Sequence, residues 1–271
     1  MYKHTYLIAD TIVSIDSIYK TVHALARDYV YDGDGDVELE ICPTPQDIEE
    51  QREDFVRTQA LEGHPDAVTS EGYLEFTAVH KALSDYLLRK GYLLMHGSVI
   101  AVDGEAYLFT AKSGTGKSTH TRLWREHFGP RAYMVNDDKP YLKMIDGRIW
   151  AYGTPWNGKE RLGTNTRAPL KAICILERDS YNHIAPEEPV SAFPMMIQQT
   201  YRSDDATLAA LSLDILSDIL NTVRFYRLGC NMDISAAKLS YSVMRGGRED
   251  GAQKQADGAA EQKRGGDVIN D

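Results

Sequence analysis

Between Gly72 and Lys90 the apolar residues Leu74, Phe76, Val79, Leu83, Tyr86 and Leu87 recur at helical spacing, and Gly91 stands where a helix would end, which predicts a core-facing helix. Short strand-like runs follow: Tyr92 to Met95, then Ser98 to Val102 and Ala106 to Thr110 joined by an Asp103-Gly104 turn. The same pattern returns at Tyr141 to Ile145 and Arg148 to Tyr152 around Asp146-Gly147, so two β-hairpins are expected. Between them lie a helix at Thr119 to His127 and a buried strand at Ala132 to Val135. Downstream, Ala172 to Leu176 is a continuous apolar strand, Thr207 to Val223 a long amphipathic helix, Phe225 to Cys230 a strand and Ser235 to Met244 a closing helix.

The N-terminal stretch is less regular. Tyr6 to Ile15 and Val37 to Ile41 read as strands and Gln46 to Ala60 as a polar helix, giving a small α+β layer over residues 1–70. The acidic run Asp32 to Asp36 resembles a Ca²⁺ loop only in part. Val37 stands where that loop needs Gly and Pro43 where it needs a bidentate Glu, so a solvated turn is expected. Residues 71–245 form the second, larger unit. From 246 to 271 large apolar side chains almost disappear, and a disordered tail is expected because such a segment buries too little surface to offset its ordering entropy.

Composition narrows the function classes. With 42% hydrophobic and 26% charged residues the chain reads as folded, and no apolar run approaches the roughly 20 residues a membrane helix needs. A start that lacks a secretory h-region suggests the cytoplasm. The formal charge of −10 argues against a nucleic-acid partner, which would need clustered Lys and Arg. Cys42, Cys174 and Cys230 are far apart without metal-ligand spacing, and are expected to be reduced, buried residues.

The chemistry concentrates after the first hairpin. Ala111-Lys112-Ser113-Gly114-Thr115-Gly116-Lys117-Ser118 matches G-x-x-x-x-G-K-[ST] except for Ala111 at the first position, and it lies between a strand and a helix as a phosphate loop must. Gly114 and Gly116 permit the backbone to turn successive N–H groups inward, and the helix start adds the positive end of its dipole. Ser113, Gly114, Thr115, Gly116, Lys117, Ser118 and Thr119 are therefore the candidate nucleotide contacts, with Lys117 on the terminal phosphates and the Ser118 hydroxyl on Mg²⁺. Thr119 belongs to the helix start rather than to the ligands. Asn136-Asp137-Asp138 ends the next strand, where one carboxylate can hold Mg²⁺ and the other can accept the proton of an attacking hydroxyl. The residues alone do not divide those roles.

His96-Gly97, the loop Lys112 to Ser118 and Asp137-Asp138 about twenty residues later together resemble the catalytic domain of HPr kinase/phosphorylase, and more broadly the phosphoenolpyruvate carboxykinase-like P-loop fold. The resemblance covers roughly residues 90–180. It implies a mixed, strand-rich α/β domain, ATP and Mg²⁺ as cofactors, Lys117 on phosphate, and Ser118 with Asp137 or Asp138 on the metal. It also implies that the other Asp acts as base and that His96 lies near the transferred phosphate; on the residues alone, His96 reads as a structural strand cap. The chain departs from the family after the Asp pair, where Gly153-Thr154-Pro155-Trp156-Asn157-Gly158-Lys159-Glu160-Arg161 replaces a Glu-x-Arg-Gly segment. HPr as acceptor, phosphorylase activity and the hexamer are not carried over. In this loop Lys159 or Arg161 could contact phosphate or acceptor and Trp156 could stack on a ligand; equally, it reads as a surface turn with Trp156 packed on the core.

The function expected is thus an ATP- and Mg²⁺-dependent kinase moving the γ-phosphoryl to a hydroxyl of a peptide, protein or small molecule, with homo-oligomerisation left open. The alternative is a nucleotide-binding switch or slow NTPase.

Overall fold

The structure is a computed structural model that describes residues 2–61 and 63–246. The segment expected to be disordered, 246–271, lies outside the described residues except for Gly246. The fold is mixed α/β with a strand-rich, curled sheet. Its elements are β1 (Tyr2–Ile8), β2 (Thr11–Ser17), α1 (Thr21–Leu25), β3 (Leu39–Ile41), α2 (Pro45–Leu61), α3 (Glu71–Arg89), β4 (Tyr92–Leu94), β5 (Ser98–Val102), β6 (Glu105–Thr110) and α4 (Lys117–Phe128). There follow β7 (Ala132–Asn136), β8 (Tyr141–Ile145), β9 (Arg148–Tyr152), β10 (Arg167–Arg178), β11 (His183–Glu187), α5 (Pro189–Gln199), α6 (Ala206–Thr222), β12 (Arg224–Cys230) and α7 (Ser235–Met244).

Strands β1, β2 and β3 form a small sheet, and the other nine form one large sheet in which β10 is shared. The start of β10, Arg167 to Pro169, pairs antiparallel with β9; its remainder runs parallel to β6 and to β12. The large sheet is covered on both faces, as the strand pattern requires. Val99, Ala101, Leu108, Ile173 and Ile175 point to α5 and α6, while Ile100, Val102, Tyr107, Phe109 and Cys174 point to α4 and α7. Trp124 anchors α4 on the second face, its ring 5.0 Å from that of Tyr107 and 5.2 Å from that of Phe109. A third core joins the small sheet to α3, β4, Tyr141, Tyr152 and Trp156.

Both Asp-Gly turns occur as expected, with Asp103, Gly104, Asp146 and Gly147 all at positive φ. Tyr6 to Ile15 is not one strand. It crosses a hairpin turn at Ala9 (φ 49°) and Asp10 (φ 56°), held from outside because the Asp10 carboxylate accepts from the Tyr152 hydroxyl at 2.8 Å and pairs with Arg167. Val37 precedes β3 rather than belonging to it. Cys174 is buried, but Cys42 is exposed and Cys230 only partly covered, which corrects the expectation for two of the three. Among the described residues no helix is long and apolar enough to cross a membrane.

Two histidines, His120 buried on α4 and His80 half-buried on α3, give the fold a pH dependence. Burial pushes His120 down to about 3 and acts on His80 in the same way. Both imidazoles are neutral when folded but bind a proton below about pH 6.5 when unfolded. The unfolded chain therefore takes up more protons between about pH 6.5 and 3, and stability falls as pH falls through that window, by up to about 1.4 kcal/mol per pH unit for each group. Scanning calorimetry should give a lower unfolding midpoint at pH 5 than at pH 7.5; an unchanged or higher one at pH 5 would contradict this.

Candidate functional site

Strand polarity brings the chemistry to one edge. β5 is antiparallel to both β6 and β7, so β6 and β7 end where β5 begins, and β10 and β12, parallel to β6, end there as well. Across that edge stand Asp137-Asp138 after β7, His96-Gly97 before β5, the glycine-rich loop after β6, Arg178 at the end of β10 and Asn231 after β12.

The glycine-rich loop joins β6 to α4. Gly114 (φ 73°) and Gly116 (φ 125°) occupy backbone conformations that a side chain would strain, and Gly116 caps α4 without a side-chain acceptor, so the first amides of α4 have no cap. Arg178 holds the loop from one side, donating from Nη2 to the Gly114 carbonyl at 2.5 Å and from Nε to the Thr115 carbonyl at 3.3 Å. In a trans peptide N–H opposes C=O, so with the Thr115 carbonyl on Arg178 the Gly116 N–H faces the other way. Lys117 is half-buried and makes no ion pair within 4 Å among the described residues. Burial pushes its ammonium pKa down and Asp138 pulls it back up. An underneutralised cation beside free helix-start amides combines the charge and the donors that an anion would meet.

The carboxylates are set by Asn136, which is fully buried. Its Oδ1 accepts the Asp138 and Lys139 N–H groups at 2.8 and 2.6 Å, and its Nδ2 donates to the Thr154 hydroxyl at 3.0 Å, fixing the chain immediately after β7. Asp137 accepts from the Gly158 N–H at 2.8 Å; burial nevertheless raises its pKa above the usual carboxylate value, the Gly158 and Leu162 amides opposing. Asp138 lies 3.1 Å from His96 Nε2 and 3.3 Å from Lys139 Nζ. Burial raises its pKa, but the His96 hydrogen bond and the Lys139 charge outweigh it and bring the carboxyl to about 2. His96 is thus brought onto Asp138 rather than left as a remote strand cap.

A cleft of about 540 Å³ is lined by His96, Ser113, Gly114, Gly116, Lys117, Ser118, Thr119, Asp137, Asp138 and Lys159 together with Glu160. Of the candidate nucleotide contacts, Thr115 alone is outside this lining and faces the neighbouring cleft beside Arg178. Arg161 is also outside this lining; its guanidinium donates to the Leu25 carbonyl, and it lines an adjoining cleft with Asp138 and Lys159. Trp156 is 6% exposed and stacks between Phe76 and His80 at 5.1 and 4.5 Å, so it packs on the core while lining the floor of that adjoining cleft. Sequence reasoning missed Arg178 and the role of Asn136. The position of Arg178 just past an apolar strand was the one available signal.

The 153–163 loop approaches β7 closely at Gly153, where an added Cβ would meet the Thr164 carbonyl oxygen at 1.8 Å and that of Val135 at 2.7 Å. Both are backbone atoms and cannot rotate away. Gly153→Ala is therefore expected to destabilise by about 2 kcal/mol or more and to shift Gly158 off Asp137, lowering the unfolding midpoint and turnover together. An unchanged midpoint would contradict the close approach.

Ser118 and Asp137 line the same cleft, and among the described residues no group of three or more His, Cys, Asp or Glu side chains is arranged to hold a metal. That sparse oxygen set fits Mg²⁺, which takes one or two protein ligands and completes its shell with phosphate and water, better than a metal needing a full protein cage.

No family model matches the chain. No curated protein matches it either. Among solved structures, it is similar to the Hpr(Ser) kinase/phosphatase from Coxiella burnetii, with a TM-score of 0.34 and 10% identity over 64% of this chain and 98% of that one. A likeness of that degree adds nothing to what the geometry itself supports.

Proposed function

We propose that this chain binds Mg²⁺–ATP in the cleft at the strand edge and transfers its γ-phosphoryl to a hydroxyl of a peptide, protein or small molecule. The observation that carries the reading is the convergence of the glycine-rich loop, the unpaired Lys117 and the Asp137-Asp138 pair on one cleft. In it the loop amides and Lys117 hold the phosphates, and Ser118 with Asp137 would hold Mg²⁺, which neutralises charge on the β- and γ-oxygens.

The two carboxylates differ in position. Asp137 lines only the phosphate cleft, whereas Asp138 lines that cleft and also the adjoining one walled by Tyr73, His80 and Lys139. An acceptor entering from the adjoining cleft meets Asp138 first, so Asp138 is the residue assigned to orient the acceptor hydroxyl and take its proton. His96 and Lys139 keep it ionised. A carboxylate of low pKa is a weak base, but phosphoryl transfer through a loose transition state depends mostly on positioning and charge.

The test is ³¹P NMR of Mg²⁺–ATP incubated with the chain and pools of Ser- and Thr-containing peptides or small alcohols. A phosphate-ester signal that requires both protein and acceptor supports the kinase. Inorganic phosphate as the sole product, whatever the acceptor, would support the slow NTPase instead.

A further inference from the structure

The chemistry at the strand edge lies on one side of the glycine-rich loop. Asp137, Asp138 and His96 follow or precede β7 and β5, while β10 and β12 lie beyond β6 on the opposite side. A triphosphate whose terminal phosphate faces the carboxylates must therefore lead its nucleoside toward β10 and β12. A second cleft of about 510 Å³ opens there, sharing Gly114, Gly116 and Thr119 with the phosphate cleft and walled further by His120, Arg178, Cys230 and Met232.

One wall of that cleft carries a buried polar atom without a partner. His120 is 2% exposed, and its Nδ1 makes no hydrogen bond. Its Nε2 lies 3.1 Å from the Trp124 indole nitrogen, which also donates to the Ser240 hydroxyl at 3.0 Å, and 3.2 Å from that hydroxyl. Nε2 is thus engaged, while Nδ1 is left without a partner in either tautomer. Buried polar atoms are almost always satisfied, and an unsatisfied one beside a cleft marks where a polar ligand atom belongs. Met232, 76% exposed, lines the same cleft as Arg178 with an apolar, adaptable side chain. A thioether and a planar cation are surfaces on which a purine stacks.

We infer that the cleft between the glycine-rich loop and the ends of β10 and β12 is the nucleobase site, taking a purine with its ring stacked at Met232 and Arg178 and a polar edge atom on His120 Nδ1. The inference rests on the phosphate reading above and extends it: Arg178 contacts both the base and the Gly114 and Thr115 carbonyls, so base and phosphate sites share one side chain.

Calorimetric titration of the full chain with Mg²⁺–ATP and with Mg²⁺–tripolyphosphate, which has the phosphates but no base, tests it. Wild type is expected to bind ATP at least about tenfold more tightly, the order expected for one stacked base. Met232→Ala, an exposed and charge-neutral change, should weaken ATP about threefold or more and leave tripolyphosphate unchanged. His120→Phe keeps a ring but removes Nδ1 and should act in the same direction; should it fail to fold, Met232→Ala decides. Equal wild-type affinities for the two ligands, or an unchanged ratio in Met232→Ala, would overturn the base site while leaving the phosphate site standing. Binding of neither ligand would overturn the phosphate reading, and the base site with it.

Discussion

Lys117→Ala is expected to weaken Mg²⁺–ATP binding by about a hundredfold or more while leaving the fold as stable as before, or slightly more stable. The two halves have one cause. Lys117 is half-buried with no ion-pair partner within 4 Å among the described residues, so the empty protein bears the cost of desolvating its ammonium. Removing it relieves that cost. In the complex the same ammonium meets phosphate oxygens, and charge-assisted hydrogen bonds of that kind contribute about 1.5–3 kcal/mol each. A structural lysine behaves in the opposite way. If Lys117→Ala lowered the unfolding midpoint by many degrees and left ATP affinity intact, the residue would be supporting the loop rather than binding phosphate.

Asp138→Asn should separate binding from chemistry. The amide keeps the shape of the side chain and one acceptor oxygen, so ATP affinity should stay within severalfold of wild type, while turnover falls by about 10²–10⁴ as expected for loss of a general base. The pH profile gives an independent check. Asp138 is held at about 2 by His96 and Lys139 against the opposing effect of burial, so it is ionised throughout the working range and does not set the acid limb of activity. The raised pKa of Asp137 makes that residue the first of the pair to be protonated on acidification. The stabilisation from Asp138 is fully present above about pH 3.9, its unfolded value, and is lost as pH falls through about 2. The variant should therefore lose a modest increment of stability at neutral pH. Turnover within twofold of wild type would remove Asp138 from the mechanism.

The loop and its surroundings were legible because local rules decide them. Gly114 and Gly116 need positive φ, and two Asp-Gly pairs make tight hairpin turns; these signals survive any tertiary context. Features set by distant partners were not. The turn at Ala9-Asp10 has neither Gly nor Asn, and is held by Tyr152 and Arg167, more than 140 residues away in the chain. Strand β10 begins five residues before Ala172 because Pro169 lies where β10 still pairs with β9, and a proline inside a strand reads as its boundary. Helix α5 was missed for the same kind of reason: Pro194 stands inside it, and sequence reasoning treats an internal proline as a break.

The candidate site divides along the same line. Lys117, Ser118, Asp137 and Asp138 were named from a motif and its spacing, and the fold brings all four to one cleft. Trp156 and Arg161 belong to a loop whose composition pointed two ways. Trp156 packs against Phe76 and His80 and Arg161 donates to the Leu25 carbonyl, and both line the cleft beside Asp138. Arg178 has no motif at all. Its importance depends on β10 lying beside β6, a parallel pairing between segments some 65 residues apart that no local pattern reveals.

The most direct test of the central claim is calorimetric titration of Mg²⁺–ATP into the wild-type chain. Saturable binding of one ATP per chain, requiring Lys117, is the predicted result. A chain that stays folded and takes up no ATP at millimolar nucleotide would contradict the phosphate site and, with it, the proposed kinase.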